Sequence, residues 1–444
     1  MQKELFQLRD YITPKWYNFK NSTLGRVYDS IPWNQLSELL PEEHRGPGAP
    51  RWFSSAGMFA LMFLKAYLKL SDQKLIERFN TDWSLQLFCG KYLKDNEKIR
   101  DNAILSRIRS YLAEHVDLYQ MQDILINHWK RNMDNTHVLL MDATCYESYV
   151  RFPTDVKLLW ESCQWVYEKQ IYRWCRRLSA RRPRSKYREQ KRKQRDYDRR
   201  RKKTFRQGVK RKRSLIYLLE KGLNQLQELL NNHPEIDLSH YERGYIRTIR
   251  KVLEQQTFLL THPAKELKDR IVSLPRPYIR PIVRGKENKR VEFGMKVHML
   301  QVDGICMFDK MSFNAFNEST RLRFSVLKHK SLFGQCNQLG ADRIYATNAN
   351  RRYATSHKIF TSFPKKGPKT DLPSVVNLRT ILSSARATIM EGSFGTHKQH
   401  YGLDKIKAKG TKREMLWVFF GVMTSNAVLM GKRMTLEKSF RQSA

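Results

Sequence analysis

Val138-Leu139-Leu140-Met141-Asp142 is a run of four apolar residues that ends directly in an acidic residue. A short, continuous apolar run is typical of a strand that is buried on both faces of a sheet. We therefore predict a buried central strand over residues 138–141 that carries the Asp142 carboxylate at its tip. Ligands of such sheets bind beyond the carboxyl ends of the strands, so this position suits a metal ligand.

Strand patterns return in the second half of the chain. From residue 291 onward, apolar residues alternate with polar ones, which predicts a strand with one apolar and one polar face. The apolar face consists of Val291, Phe293, Met295, Val297 and Met299, and the polar face includes Glu292, Lys296 and His298. Asp303-Gly304 predicts a tight hairpin turn into a second strand over residues 305–308. Residues 359–360 predict another short strand, and residues 375–401 predict a helix.

The N-terminal part of the chain has helical patterning. Between Trp52 and His115 the apolar residues recur at helical spacing, and Ser71 followed by Asp72 predicts a helix start. We therefore predict a helical domain over residues 1–135.

A strongly basic segment occupies the middle of the chain. From Arg173 to Arg213 there are 22 Lys and Arg residues against three acidic residues. Self-repulsion among these charges predicts that the segment does not form a packed core. Helical spacing of apolar residues returns from Leu215 to Leu230 and from Ile246 to Leu253, which predicts a helical hairpin.

The whole chain is basic as well, because 83 Lys and Arg residues face 43 Asp and Glu residues and give a formal net charge of +40. Such a charge favours a nucleic-acid partner, which would screen the self-repulsion. We expect that no stretch is long and apolar enough to span a membrane, which takes roughly 18 to 20 apolar residues. We therefore expect a soluble, cytoplasmic protein without a membrane partner. The six cysteines form no CxxC pair and no Cys/His spacing, which favours reduced, mostly buried thiols over a zinc site or a disulfide framework.

Three carboxylates, Asp142, Asp342 and Glu391, are candidates for a shared site. Each has apolar neighbours that predict partial burial, and a buried carboxylate needs a cation, a metal or a hydrogen-bond network. Converging carboxylates can clamp two Mg²⁺ ions, which neutralise the attacking and leaving oxygens during phosphodiester transfer. Spacing alone leaves open that each is an ordinary ion-pair or helix-cap residue.

Four stretches of the chain together resemble the DDE transposases of bacterial insertion sequences, which have a ribonuclease H-like catalytic core. These stretches are Met141 to Thr144, Phe293 to His298, Gly340 to Tyr345 with Asn350-Arg351, and Arg386 to Lys398. Trp52 to Leu112 is similar to the N-terminal helical domain of that family. The likeness extends over most of the chain.

The resemblance and the patterns together predict an α/β protein with a ribonuclease H-like, mixed-sheet catalytic core. The N-terminal helical DNA-binding domain is assigned to residues 1–135, and the core to residues 136–154 and 290–432. A basic helical insertion over residues 155–289 separates the first and second core strands. This insertion departs from the family, in which a short turn joins the two strands.

The resemblance also implies roles for individual residues. Asp142, Asp342 and Glu391 are implied to bind two Mg²⁺ or Mn²⁺ ions. Lys398 follows Glu391 after six intervening residues, as in the family signature, and nearly two helical turns place both side chains on one face, where Lys398 can meet a DNA phosphate. Arg386 is implied to lie near the scissile phosphate, although four residues separate it from Glu391 and the usual family spacing is three.

By this resemblance the chain is a metal-dependent DNA endonuclease and polynucleotidyl transferase. It is implied to bind the inverted-repeat ends of a mobile element, to cleave one strand and to join the exposed 3′ hydroxyl to target DNA. Its partner is double-stranded DNA, both transposon ends and target, and we expect a homodimer on DNA, associated with the bacterial nucleoid.

The cations of the basic segment are expected to hold DNA phosphates, adding affinity and salt dependence rather than sequence readout. A solvated structural arm is the alternative interpretation. The predicted DNA-binding residues are Arg173, Arg176, Arg177, Arg181, Arg182, Arg184, Lys186, Arg188, Lys191, Arg192, Lys193, Arg199, Arg200, Arg201, Lys202, Lys203, Lys210, Arg211, Lys212 and Arg213.

Two other functions fit the same sequence. One is a metal-dependent DNA nuclease on the same core that cleaves without joining. The other is a basic, non-catalytic DNA-binding protein, such as a decayed transposase, whose carboxylates are only structural. Strand-transfer activity distinguishes the first alternative from a transposase, and metal-dependent cleavage distinguishes the second.

Overall fold

A computed structural model describes residues 8–41, 51–94, 96–263, 265–283, 291–367 and 372–443, with side chains from Pro14 to Glu437. The chain divides into two compact units. The first unit combines Met1–Ser148 with Met295–Ala444, and the second unit consists of Tyr149–Gly294. The predicted junction between residues 289 and 290 lies outside the described residues, and the other predicted domain boundaries stay predictions.

The N-terminal part of the first unit is helical over its described residues, as the apolar spacing predicted. Its helices are α1 (Leu8–Lys20), α2 (Thr23–Asp29), α3 (Trp33–Ser37), α4 (Ser55–Leu68), α5 (Asp72–Phe79), α6 (Trp83–Cys89), α7 (Ile104–His115) and α8 (Leu118–Trp129). The predicted helix start is confirmed, because the Ser71 hydroxyl accepts a hydrogen bond from the Lys74 N–H at 3.2 Å and so caps α5. Such caps satisfy amide groups that have no partner within the helix.

A mixed sheet runs through the first unit, except that β2 and the first residues of β3 belong to the second unit. The strands in chain order are β1 (Val138–Glu147), β2 (Pro281–Val283), β3 (Val291–Val302), β4 (Ile305–Ser312), β5 (Gln338–Ala341) and β6 (Phe360–Thr361). β1 lies between β3 and β5, and both the β1–β5 and β5–β6 pairs are parallel. β3 and β4 form the predicted antiparallel hairpin, with positive φ angles of 49° at Asp303 and 80° at Gly304. The mixed α/β class is therefore confirmed.

The second unit is mainly helical. Its helices are α9 (Asp155–Gln164), α10 (Tyr172–Arg177), α11 (Tyr187–Arg199), α12 (Phe205–Asn232) and α13 (His240–Thr261), with a π-helical segment at Trp165–Ile171 and β2 on the first residues of β3. The predicted helical hairpin is confirmed as α12 and α13. Their apolar faces enclose a core with Leu159, Leu219 and Val252 at its centre. At Gly222 a Cβ would lie 2.8 Å from the ring of Tyr167, so only glycine permits this close packing.

The basic segment is packed, which corrects the prediction that its charge would prevent a core. Tyr187 is 2% exposed and Arg211 is 6% exposed. Arg211 Nε donates a hydrogen bond to Gln194 Oε1 at 2.8 Å, and its Nη2 donates to the Gln190 carbonyl oxygen at 2.7 Å. Gln190 and Gln194 of α11 thus face α12, and Tyr187 stacks on Trp160 and Tyr167, while most cations of the segment remain exposed. A charge count does not reveal this separation of faces.

The carboxyl-terminal elements of the first unit are α14 (Leu322–Phe333), α15 (Asn348–Ser356), α16 (Pro373–Ala385), a π-helical segment (Arg386–Met390), α17 (Glu391–His400) and α18 (Thr411–Ser443). By length and composition, residues 411–437 of α18 could cross a membrane, so the expectation that no stretch would qualify is wrong. Of the apolar window in this helix, 72% is buried inside the protein. Val418, Phe419 and Val422 are at most 1% exposed, because α18 packs against α2, α4 and α7.

Two strand predictions need correction. β1 continues through Asp142 to Glu147, so Asp142 lies in the middle of the strand and not at its tip. His298, assigned to a polar face of β3, is fully buried, because Asp309 and Tyr345 supply partners for both ring nitrogens. The six cysteines are buried and reduced, as predicted.

Candidate active site

β1 and β5 bring two of the predicted acids together. The strands are parallel, and Met141 and Ala341 are their last paired residues. Asp142 and Asp342 directly follow these residues, on strands that lie about 4.8 Å apart in such a sheet. Asp142 is held by the continuing strand. Asp342 begins a 3-10 turn, where its Oδ1 accepts a hydrogen bond from the Arg343 N–H at 2.6 Å.

The third acid is connected to this pair by the helix that packs on β5. Gly340 permits the packing, because a Cβ there would lie 2.9 Å from the Leu382 carbonyl oxygen of α16. Arg386 follows α16, and its Nη1 donates a hydrogen bond to Asp142 Oδ2 at 2.7 Å. The same nitrogen lies 3.2 Å from Glu391 Oε1. One guanidinium therefore bridges the first and third predicted acids.

The ion pair between Arg386 and Glu391 depends on a π-helical segment, Arg386–Met390. A π turn closes hydrogen bonds from residue i to residue i+5 and so holds one residue more than an α turn. Residues five positions apart therefore lie on the same side of the helix. The bulge thus brings Arg386, five positions before Glu391, onto the side of the helix that carries Glu391. Single π turns within α-helices are frequent at functional sites.

The cluster shifts the pKa values of its members. Burial raises the pKa of Asp142, and a backbone hydrogen bond and the Arg386 guanidinium offset only part of this rise. Burial acts to lower the pKa of Arg386, but the charges of Asp142, Asp342 and Glu391 outweigh it and raise that pKa. All three predicted acids thus act on the same guanidinium.

The donor set suits a hard divalent cation, because carboxylate oxygens are the ligands that Mg²⁺ takes in proteins. The predicted partial burial holds for Asp142, whose side chain is 14% exposed, but it is wrong for Glu391, which is 56% exposed, and for Asp342, which is also exposed, so the cluster opens to solvent. Among the described residues, no group of three or more His, Cys, Asp or Glu side chains is arranged to hold a metal ion. The guanidinium of Arg386 supplies the positive charge between Asp142 and Glu391.

Lys398 extends the cationic side of the cluster along β1. It lies on α17 together with Glu391, as predicted. Its Nζ donates to Thr144 Oγ1 at 3.4 Å, two residues beyond Asp142 on the same strand. The ammonium also lies 5.8 Å from the centre of the Tyr146 ring. Lys398 is therefore close to the strand that carries the first acid.

A buried polar network near Asp142 was not predicted from the sequence. His298 Nδ1 lies 2.9 Å from Asp309 Oδ2, and its Nε2 lies 2.8 Å from the Tyr345 hydroxyl. That hydroxyl donates to Glu318 at 3.5 Å, and the charge of Glu318 contributes to the raised pKa of Asp142. The histidine within an apolar strand was the available signal, but its partners come from other segments.

The predicted DNA-binding residues belong to the second unit and are mostly exposed. Arg173, Lys191 and Lys212 are half-buried and form ion pairs with Glu242, Glu168 and Asp155 respectively. Arg211 is the exception, since its guanidinium is buried among glutamine side chains and is not presented to solvent. The remaining predicted residues are exposed, and Lys193 among them pairs with Glu189.

Residues 15–111, from α1 into α7, match the model of the family described as "Transposase domain (DUF772)". The match supports a transposase role and hence an enzyme that acts on DNA. No curated protein and no solved structure matches the chain. The matched segment belongs to the same compact unit as Asp142, Asp342 and Glu391.

Proposed function

We propose that the chain is a DDE transposase of an insertion sequence, which cleaves DNA at the ends of its element and joins those ends to target DNA. One observation carries the proposal: the guanidinium of Arg386 bridges Asp142 and Glu391, and Asp342 follows β5 at the position beside Asp142. The acids come from three separate segments. All three nevertheless lie in the unit that contains the transposase-domain match.

The order of the elements supports a ribonuclease H-like core. The first acid lies on β1, a helical unit follows, and the β3–β4 hairpin comes next. The second acid follows β5, and the third begins α17. This is the order expected from the resemblance, with the helical unit as an insertion after the first strand.

The proposed chemistry is in-line displacement at phosphorus. Asp142, Asp342 and Glu391 would hold two Mg²⁺ ions, which neutralise charge on the attacking and leaving oxygens. In cleavage, a water oxygen bonds to phosphorus while the bond to the 3′ oxygen breaks. In joining, that 3′ oxygen attacks a target phosphate and displaces another 3′ oxygen. Each step exchanges one P–O bond for another, so one site serves both.

Two cations have separate parts in this scheme. Arg386 neutralises the buried Asp142 carboxylate before substrate binds, at a distance of 2.7 Å. Lys398, next to Thr144, would hold a phosphate oxygen of the scissile strand. The exposed cations of the second unit would add phosphate contacts that strengthen binding to any DNA sequence.

Three isosteric variants test the proposal, because Asp142→Asn, Asp342→Asn and Glu391→Gln each keep the shape of the side chain and remove its charge. The wild type should cleave and join labelled duplexes that carry the ends of its element when Mg²⁺ is added. Each variant should bind these duplexes and cleave only at background rate. Glu114→Gln, an exposed acid on α7, is the matched control and should cleave normally.

The same assay distinguishes the alternatives. A nuclease without joining activity would cut the duplex and leave the 3′ ends unjoined. A non-catalytic binding protein would retain the duplex without Mg²⁺-dependent cleavage, even as the wild type. If one variant cleaves at the wild-type rate, that residue is not a metal ligand.

A further inference from the structure

A second cationic feature of the first unit is a cavity of about 540 Å³. It lies between α4, α5, α7 and the segment that joins α17 to α18. Its volume falls within the roughly 300 to 1,000 Å³ of typical ligand sites. Among its lining side chains, seven are cationic and two are acidic. This balance predicts an anionic occupant.

The inner wall of the cavity contains a buried ion cluster. Arg109 is 6% exposed, and its Nη2 lies 3.0 Å from both carboxylate oxygens of Asp72. Lys65 Nζ lies 2.8 Å from Asp72 Oδ1. Both cations also face the ring of Trp417, at 4.7 Å and 5.1 Å from its centre. One carboxylate thus compensates two buried cations, so the wall keeps a net positive charge.

The mouth of the cavity adds further positive charge. The cations there are Lys69, Lys405, Lys407, Lys409 and Arg413. Burial lowers the pKa of Lys65, and the charges of Arg109 and Lys407 contribute to this lowering, although Asp72 opposes it. The cations are therefore close enough to repel one another. An anion between them would relieve the repulsion.

Lys405 connects this cavity to the end of β1, the strand that carries Asp142. Lys398 contacts Thr144 on the face of β1 that carries Asp142, and Lys405 pairs with Glu147, which alternation places on the opposite face at the end of the strand. Lys405 also lines the cavity. A strand rises about 3.3 Å per residue, so the five steps from Asp142 to Glu147 span about 17 Å.

We propose that the cavity is a subsite that binds a backbone phosphate of the DNA strand, the same strand that is cleaved at the site formed by Asp142, Asp342 and Glu391. The inference rests on the proposed function and adds a second anchor for its substrate. Arg109 and Lys65 supply positive charge on the inner wall of the cavity. Lys407 and Lys409 bind the same backbone phosphate from the mouth of the cavity. Phosphate contacts fix the register of DNA without reading its sequence. The subsite thus holds the strand at a set distance from the point of cleavage.

Paired double variants test the subsite. Lys407→Gln/Lys409→Gln removes two exposed cavity lysines, and Lys74→Gln/Lys412→Gln removes two exposed lysines of the same unit that do not line the cavity. Binding of a labelled duplex is measured by fluorescence anisotropy over a range of salt concentrations, with EDTA present so that cleavage plays no part. The cavity variant should lower the salt slope by about 0.9, the value for one phosphate contact. The control pair should keep the wild-type slope.

A charge insertion provides a second comparison. Ser106→Glu places a carboxylate in the lining, and Asn102→Glu places one on an exposed residue just before α7, outside the cavity. Ser106→Glu should weaken DNA binding more than Asn102→Glu does. Equal effects in both comparisons would overturn the subsite.

Calorimetry with a deoxynucleoside monophosphate separates the two sources of phosphate. If Lys407→Gln/Lys409→Gln abolishes nucleotide binding and leaves the DNA salt slope unchanged, the cavity takes a free nucleotide and the strand subsite is wrong. Because binding is measured without metal, these results do not depend on catalysis. A wild type that never cleaves refutes the proposed function, and a cavity variant that binds like its control refutes the subsite.

Discussion

Arg386 neutralises a carboxylate that is expensive to keep buried. Asp142 and Arg386 have side chains that are only 14% and 16% exposed, and their contact is 2.7 Å long. Removing one partner of a buried ion pair typically costs about 3 to 5 kcal/mol, because the other charge remains without compensation. In the intact site the pKa of Asp142 is raised, because burial has a larger effect on it than the backbone hydrogen bond and the Arg386 guanidinium that act to lower it. Arg386 thus stabilises the fold as well as preparing the proposed metal site.

Arg386→Gln should therefore lower the free energy of unfolding by about 3 kcal/mol at neutral pH. Mg²⁺ should restore more stability to this variant than to the wild type, because the ion replaces the missing positive charge. Thermal or denaturant unfolding with and without Mg²⁺ measures both effects. Arg343→Gln, an exposed cation beside Asp342, is the control. Equal losses in the two variants would show that Arg386 does not compensate Asp142.

His397 makes folding sensitive to acid. Burial, together with the smaller effect of the nearby Lys398 charge, lowers its pKa to about 3, and its Nδ1 lies 2.9 Å from the Tyr146 hydroxyl. Because the folded pKa lies below the ordinary value of 6.5, the folded state binds the proton less readily than the unfolded state. The stability associated with neutral His397 is complete above pH 6.5 and is lost as the pH falls toward 3.

We expect the free energy of unfolding to fall by up to about 1.4 kcal/mol per pH unit in this window because of His397. His397→Gln should flatten the dependence, since glutamine keeps a polar partner for Tyr146 but does not titrate. Denaturant unfolding between pH 7 and pH 4 measures the slopes. His400→Gln changes an exposed histidine on the same helix and should keep the wild-type slope. A slope unchanged in His397→Gln would contradict the assignment.

At the level of elements, the π-helical segment predicts which deletions the helix tolerates. One residue of an α-helix corresponds to a rotation of about 100°, so deletion within a regular helix turns all later side chains away from their partners. Deletion within a π turn instead converts it to an α turn and leaves the flanking helices in register. The segment Arg386–Met390 should therefore absorb the loss of one exposed residue.

Deletion of the exposed Thr388 should leave the melting temperature unchanged or slightly higher and should keep the pair of Arg386 and Glu391. Deletion of the exposed Thr380 in α16 should lower the melting temperature by several degrees. A loss of about 1 kcal/mol in the free energy of unfolding lowers the melting temperature of a large domain by about 2 to 4 °C. Scanning fluorimetry compares the two. If both deletions destabilise equally, the segment is not a one-residue bulge.

The basic segment is also an element-scale feature, since Gln190 and Gln194 of α11 accept hydrogen bonds from Arg211 of α12. Removing the whole segment would therefore disrupt the second unit, and substitution of exposed cations is the suitable test. Arg201→Gln/Lys202→Gln/Lys203→Gln should weaken binding to all DNA sequences alike. The salt slope should fall by about 0.9 for each DNA phosphate that the variant no longer binds.

The control for this experiment is a triple variant on α13, in which the exposed Arg247, Arg250 and Lys251 become Gln. It removes the same formal charge from the same unit. Anisotropy titrations at several salt concentrations compare the two variants. An equal fall in both slopes would mean that DNA responds to net charge and not to the basic segment.

For the whole molecule, the net charge of +40 opposes compactness. Salt screens such repulsion, with a Debye length of about 10 Å at 0.1 M and about 3 Å at 1 M. The melting temperature of the DNA-free protein should therefore rise with NaCl concentration while its affinity for DNA falls. Duplex DNA added at low salt should raise the melting temperature in the same way. A melting temperature independent of both would show that the charges are already compensated within the fold.

Local chain chemistry was enough to predict much of the secondary structure. The hairpin at Asp303-Gly304 follows from the need for positive φ angles, and the start of α5 follows from the side-chain cap that Ser71 provides. α12 and α13 follow from apolar residues on one face. Resemblance named Asp142, Asp342 and Glu391, and their catalytic role stays a prediction.

The tertiary structure alone decided which side chains meet. Asp142 and Arg386 are 244 positions apart, and no local pattern indicates that a guanidinium will bridge Asp142 to Glu391. The burial of Arg211 likewise depends on glutamines of another helix, and the burial of α18 depends on the helices around it. The spacing of apolar residues indicates which face of its own helix or strand a residue occupies. The partner that compensates a buried charge is set by how separate elements pack, and that information is distributed over the whole chain.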